Sequence, residues 1–192
     1  MAQLLSVQTG TARRVKIGER QILTAFDKQP VDGVAAVVPL GIVGDEQADL
    51  SVHGGLEKAV YAYPAEHYAY WQNARSEAGV SPMDDRFPSG SLGENLTLKG
   101  LLESDVWAGD VLKFAHCELR VTLPREPCYK FNAAMGFSGA SRRMAQSGFC
   151  GFYLSVQSSG TLRAGEPFEL IPGRRSVSIA QLFAARRVKH LR

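Results

Sequence analysis

Nineteen glycines are spread along the 192 residues and cut the apolar sequence into short runs. Runs of five or six residues closed by glycine suit strands, because a helix needs a longer uninterrupted stretch. Leu4–Gln8, Val34–Val38, Ala59–Tyr63, Asn95–Leu98, Val111–Phe114, Glu118–Leu123, Phe152–Val156 and Phe168–Ile171 are therefore read as strands. Several alternate apolar and polar residues, as half-buried strands do. Helical signals are fewer. Pro64 stands at a first-turn position, and good helix formers run from Ala65 to Ala78 before Gly79. Ala65, Tyr68, Trp71 and Ala74 fall near helical spacing and give that helix one face to pack on a sheet. A second short helix is predicted from Ser141 to Gln146, stopped by Gly148, and a third in the tail from Val177, with Ile179, Leu182 and Phe183 on one face.

Many short strands with helices inserted among them predict a mainly β fold, a closed or nearly closed β-barrel. The length fits one domain, predicted over 1–173, with a short helical appendage over 174–192. A domain of that size buries a core without disulfide staples.

A net charge of +3 does not call for a nucleic-acid partner. The basic excess gathers at Arg174, Arg175, Arg186, Arg187, Lys189, His190 and Arg192, which read as a solvated end. No stretch is long and apolar enough to span a bilayer, and the N-terminus lacks the length and basic start of a signal peptide. The expected location is the cytoplasm, with no membrane partner. No GxGxxG follows a strand and no P-loop is present, which argues against a Rossmann or Walker-type nucleotide site.

The three cysteines are odd in number, widely spaced and without a CxxC pair. They suggest neither a disulfide framework nor a structural zinc site. Cys117 and Cys150 lie in apolar runs and read as buried small hydrophobes. Cys128 differs. It sits in Pro124-Arg125-Glu126-Pro127-Cys128-Tyr129-Lys130, where two prolines fix the backbone. Arg125 and Lys130, if also close in space, favour the thiolate that attacks or binds metal.

Two glycine-bearing segments accompany it. Gly41–Gln47 with Val52-His53-Gly54-Gly55 reads equally as tight turns or as backbone held close to a ligand. His53 has no neighbouring His or Cys for a local metal pair and reads by itself as a hydrogen-bonding residue. In Gly93-Glu94-Asn95-Leu96 the Asn95 amide suits the edge of a heterocycle or a turn cap. A Cys–His hydrolase built from Cys128 with His53, His67 or His116 is a weaker reading, since neither His67 nor His116 has an obvious orienting Asp or Asn.

In order along the chain, Gly44-Asp45-Glu46-Gln47, Val52-His53-Gly54-Gly55, Lys58-Ala59, Tyr63-Pro64, Glu66-His67-Tyr68, Gly93-Glu94-Asn95-Leu96, Gly109-Asp110 and Pro124–Lys130 resemble the MOSC domain, in particular its YiiM-like branch. The domain is named for the C-terminal part of molybdenum-cofactor sulfurase. The resemblance runs from the first strand to about Ile171. It implies a β-barrel that binds molybdenum cofactor (molybdenum-molybdopterin), with Cys128 supplying a thiolate to the metal. It also implies reduction of N-hydroxylated compounds, such as purine base analogues, with electrons from a separate flavoprotein reductase. No flavin, haem or iron–sulfur motif is present to supply them from within.

On this resemblance Lys58, Arg125 and Lys130 are expected at the cofactor's phosphate, and the His53-Gly54-Gly55 loop gives close backbone approach. Asp45 and Asn95 face pterin nitrogens or cap turns, as Glu46 and Glu94 also do. His53 is the expected proton donor. Members of the branch carry a C-terminal three-helix extension, of which 175–192 looks like the beginning. Two other functions fit the same cysteine: a persulfide carrier, and a non-catalytic module that stores or hands over the cofactor.

Overall fold

Strand β7 (Val60–Pro64) is buried along its whole length, and its two faces serve different cores. Val60 and Ala62 join an aliphatic cluster with Leu4, Leu96, Leu119 and Leu154. Tyr61 and Tyr63 point the other way, into an aromatic cluster with Trp71, Phe131 and Met135. The side-chain period of two puts alternate residues on opposite faces, so one apolar run fills both layers. The computed structural model that shows this describes residues 2–17, 19–48, 54–80 and 87–187, apart from the side chains of Ile17 and Arg20.

The other strands, in chain order, are β1 (Gln3–Thr9), β2 (Arg13–Ile17), β3 (Arg20–Thr24), β4 (Gln29–Pro30), β5 (Val34–Val38) and β6 (Gly41–Ile42) before β7. After it come β8 (Leu96–Lys99), β9 (Val111–Lys113), β10 (Glu118–Pro124), β11 (Phe152–Ser158), β12 (Gly160–Arg163) and β13 (Glu169–Ile171). Eight of them form one mixed sheet in the order β13-β9-β10-β11-β7-β8-β1-β4, with β7 and β8 parallel and the other neighbours antiparallel. A three-stranded sheet, β12-β5-β6, and the β2–β3 hairpin stand beside it.

Of the closed or nearly closed barrel expected from the sequence, the closed form is not made: among the described residues the large sheet is open from β13 to β4. It curls far enough for the segment before β13 to reach β1: Gln3 bridges Pro167, and Gly165 N donates to the Leu4 oxygen at 2.7 Å. The ladder stops there. At the other end β4 has only two residues, one of them Pro30, which has no N–H to extend it. The chain that could continue the sheet leaves instead as the β2–β3 hairpin.

Four α-helices are described: α1 (Tyr68–Glu77), α2 (Tyr129–Met135), α3 (Ala140–Ser147) and α4 (Ile179–Arg186). The helix expected from Ala65 opens as a 3-10 turn over Ala65–His67 before becoming α1, which buries Trp71, Ala74 and Arg75. Helix α2, absent from the sequence reading, buries Phe131 and Met135 in the aromatic cluster. Helix α4 starts at a capping box between Ser178 and Gln181. It sets Ile179 in the aliphatic core and Phe183 in the aromatic one. No helix among the described residues is long and apolar enough to cross a membrane. Cys117 and Cys150 are buried and Cys128 is half-buried, and none of the three is in a disulfide.

Candidate functional site

Cys128 is the N-cap of α2 and has extended backbone, φ −140° and ψ 169°. Its carbonyl accepts from Phe131 N at 2.9 Å and from Ser141 Oγ of α3 at 2.8 Å. With Phe131 and Met135 anchored in the aromatic core, the backbone that carries the thiol is held by two helices. The side chain faces a cavity.

That cavity collects residues from distant parts of the sequence. Asp45, Lys58, Asn95, Arg125, Cys128 and Lys130 all line it, together with Phe26, Lys28, Gln47, Tyr61 and Tyr153. Its volume is about 110 Å³.

Arg125 is a buried cation of the site, 7% exposed. Its Nη1 donates to the Leu92 oxygen at 2.7 Å and lies 3.4 Å from the Tyr61 hydroxyl. The guanidinium sits 4.9 Å from the Tyr61 ring centroid, 5.1 Å from Phe131 and 5.2 Å from Phe26, an aromatic box of the kind that holds a desolvated cation. Burial works against its charge. Attraction to the tyrosines Tyr61 and Tyr153 and to the Cys128 thiolate more than offsets that, and holds Arg125 above its ordinary value. Burial pushes the Tyr153 phenol up, while Arg125 pulls it the other way.

The other cations are placed differently. Lys58 Nζ lies 5.9 Å from the Tyr153 ring centroid, and Lys130 Nζ donates to the Leu23 oxygen at 3.1 Å. Lys28, which the sequence did not single out, is buried in an ion pair with Asp45, and Asp45 also accepts from Gly10 N at 2.8 Å. Asp45 thus lines the cavity while tied to its wall. Asn95 is similarly engaged: its Oδ1 accepts from Tyr61 N at 3.0 Å and its Nδ2 donates to the Gln8 oxygen at 3.2 Å. The amide clips β7 to β1 behind the cavity.

Glu94 is fully buried and does not line the cavity. It accepts from Gly90 N at 2.8 Å, Leu92 N at 3.0 Å and the Tyr68 hydroxyl, and so caps the 90–94 turn. Gly93, at φ +79° with the Phe26 ring 3.0 Å from where a Cβ would stand, completes that wall. Gly54 and Gly55 do not line the cavity. Gly55, at φ +90°, donates its N–H to Gln47 Oε1 at 2.7 Å, and Gln47 does line it.

His53 lies outside the described residues. No histidine among the described residues lines the cavity. His67 is buried against Glu103, 2.8 Å away, and stacked on Phe149, while His116 is exposed in the β9–β10 turn. The aromatic box, the Lys28–Asp45 pair and the Leu92 carbonyl escaped sequence reasoning. Tyr61 and Phe131 carried only a core signal, and nothing local joins Lys28 to Asp45.

Chemically, the cavity offers one accessible sulfur ligand, with Lys58, Arg125 and Lys130 and the acids Asp45 and Glu46 also in its wall. Among the described residues no group of three or more His, Cys, Asp or Glu could cage a metal ion. A single soft thiolate beside positive charge suits a metal that arrives with other ligands on an anionic organic carrier. Molybdenum cofactor is such a group, and the residues present fit it.

Comparison with known proteins gives the same direction. The family model described as "MOSC domain" matches residues 49–169. The chain is 36% identical over 161 residues to protein YiiM of Escherichia coli, covering 84% of this chain and 70% of that one. It is 32% identical over 169 residues to a protein of Gibberella moniliformis named "Reductase", covering 88% of this chain but only 29% of the fungal one. The crystal structure of YiiM from Geobacillus stearothermophilus superposes with a TM-score of 0.76 at 29% identity, covering 98% of this chain and 85% of that one.

Proposed function

The chain belongs to the MOSC domain family, and from that premise we propose that it binds molybdenum cofactor at Cys128 and reduces N-hydroxylated compounds with electrons from a separate flavoprotein. The observation that carries the proposal is the half-buried Cys128 thiol, opening on a cavity that the buried Arg125 guanidinium also lines. The relative named as a reductase supports the reaction type.

The cofactor, when bound, supplies a two-electron redox centre and a Lewis acid. The balance is R–NH–OH plus two electrons and two protons, giving R–NH₂ and water: the N–O bond breaks and two electrons and two protons are taken up. This chain's part is to hold and orient. Cys128 provides the protein ligand, fixed by α2 and α3. Arg125 balances negative charge from inside the wall, and Lys58 and Lys130 are assigned to the phosphate. Asn95 and Asp45 keep the wall in shape through Gln8, Tyr61, Gly10 and Lys28. Proton delivery is assigned to His53, whose ordinary pKa suits donation near neutrality.

Elemental analysis of the protein purified from a host that makes the cofactor tests this, with Cys128→Ala beside it. Near-stoichiometric molybdenum in the wild type, lost or altered in the variant, is the expected result, with turnover of an N-hydroxylated purine by a chemical reductant. Molybdenum without turnover would favour the storage module. No molybdenum, with one extra sulfur on Cys128 by mass, would favour the persulfide carrier.

A further inference from the structure

Beside the Cys128 cavity runs a second, larger depression, a groove of about 940 Å³ between the β2–β3 hairpin and α2. The two share Thr24, Phe26, Lys28 and Lys130 as walls, so the groove leads directly to the candidate site. Its volume lies in the range of small-molecule sites.

The groove follows from two features of the sequence. On the hairpin, Val15 and Ile22 are cross-strand partners and both line it. On α2, Ala133 and Ala134 face them, with Gly136 beyond. Small side chains keep the helix surface low opposite two branched ones, so the gap stays open. Helix α2 turns Phe131 and Met135 into the core, which leaves Tyr129, 57% exposed, at the groove wall. Phe26 is shared with the cavity.

The two spaces differ in lining. The cavity wall includes the charged and amide side chains of Lys58, Arg125, Glu46 and Gln47, suited to a polar anionic group. The groove has one wall of branched, aromatic and alanine side chains, suited to a flat apolar body, while Arg13, Lys16, Asp27, Lys28 and Lys130 also line it. From Cys128 to Ala134 is six residues, about 9 Å along a helix.

We propose that the groove holds the apolar body of the substrate, and that the substrate class is an aromatic N-hydroxylated compound extended well beyond one ring, its N–OH end directed into the Cys128 cavity. This rests on the reading of the preceding subsection. The hairpin and α2 are then the specificity-determining walls. Ala134 and Val15 select for length and apolar surface, while the cavity selects for the N–OH group.

A ladder of amidoximes tests it: acetamidoxime with no ring, benzamidoxime with one, 4-phenylbenzamidoxime with two. Binding is measured by calorimetry on protein made without cofactor, alongside kcat/KM and molybdenum content of the loaded protein. The variants are Ala134→Trp and, from the opposite wall, Val15→Trp, each checked for folding by circular dichroism. Wild type should bind the two-ring compound about tenfold more tightly than the one-ring compound, given the area a second ring buries. Either tryptophan should remove that gain and lower the two-ring to no-ring ratio of kcat/KM by a similar factor, at unchanged molybdenum content. Equal affinity across the ladder in wild type would overturn the proposal, and so would unaltered selectivity in both variants. Loss of molybdenum in both folded variants would also overturn it, by giving the groove to the cofactor. If wild type holds no molybdenum and reduces nothing, the preceding reading fails, and the binding ladder still decides the groove.

Discussion

The guanidinium of Arg125 donates to the carbonyl oxygen of Leu92 at 2.7 Å, while Leu92's own N–H is held by the buried Glu94 carboxylate at 3.0 Å. A buried positive charge next to the candidate cysteine is thus fixed by a loop whose shape depends on a buried negative one. The second contact is local to the 90–94 turn, whereas the first joins residues too far apart in sequence to be read as a pair.

Replacing Arg125 by alanine removes the donor from Leu92 O and empties the box of Tyr61, Phe26 and Phe131. The expected loss of stability is about 2–4 kcal/mol by urea denaturation, from an unpaired buried carbonyl together with lost cation–π contacts. Arg125→Lys should recover less than half of it, because a point charge on a flexible stem does not reproduce a planar fork among rings. Full recovery by lysine would show that charge alone matters.

Glu94→Gln keeps the shape of the side chain but puts an NH₂ where an oxygen accepted. One or more of the donors Gly90 N, Leu92 N and Tyr68 Oη then loses its acceptor. The cost should be about 2–3 kcal/mol, the usual penalty for leaving buried donors unpaired. Hydrogen exchange should quicken first at Gly90 and Leu92. Unchanged protection there would mean that the turn holds without the carboxylate.

Asn95→Asp tests the clip between β1 and β7. Aspartate can still accept from Tyr61 N but turns an acceptor toward the Gln8 carbonyl. We expect it to cost more than Asn95→Ala, which at about 1–3 kcal/mol leaves both partners unpaired without adding a buried charge. Thermal denaturation of the two variants gives the order. Alanine the worse of the two would place the Asn95 amide in a role other than this clip.

Burial pushes the Cys117 thiol up to about 12, with Glu166 and Glu118 adding to the shift. The folded protein therefore keeps a proton that the unfolded chain gives up from near pH 8.5–9. Stability from this group is complete below that range and is lost as pH rises toward 12, by at most about 1.4 kcal/mol per pH unit. Cys117→Val should flatten the alkaline limb of a stability–pH curve. An identical slope in the variant would assign the alkaline loss to other groups, such as the buried Tyr61 and Tyr63, which burial also raises.

The sequence by itself determined the elements whose signal is local. The glycine-bounded apolar runs became β1, β5, β7, β8, β9, β10, β11 and β13, and the Tyr-rich segment after Pro64 became α1. Alternation and helical spacing report burial directly. Elements without such a pattern stayed hidden. The β2–β3 hairpin interrupts its apolar residues with Arg13, Arg14, Lys16 and Arg20, β4 and β6 have two residues each, and α2 is seven residues whose helical form is secured by Phe131 and Met135 entering a core built from elsewhere. The ordered motifs also marked Cys128, Arg125, Lys58, Lys130, Asp45 and Asn95, and the fold gathers all six around one cavity.

What each of these residues does there was decided by tertiary structure. Asp45 is spoken for by Lys28 and Gly10, Asn95 by Tyr61 and Gln8, and Arg125 is caged by rings from three separate segments. The sheet stayed open because a two-residue strand ending in proline cannot carry a ladder further. These outcomes depend on which distant groups compete for the same donor, acceptor or edge. Residue type states what a side chain can do, and only the partners brought beside it fix which of those things it does.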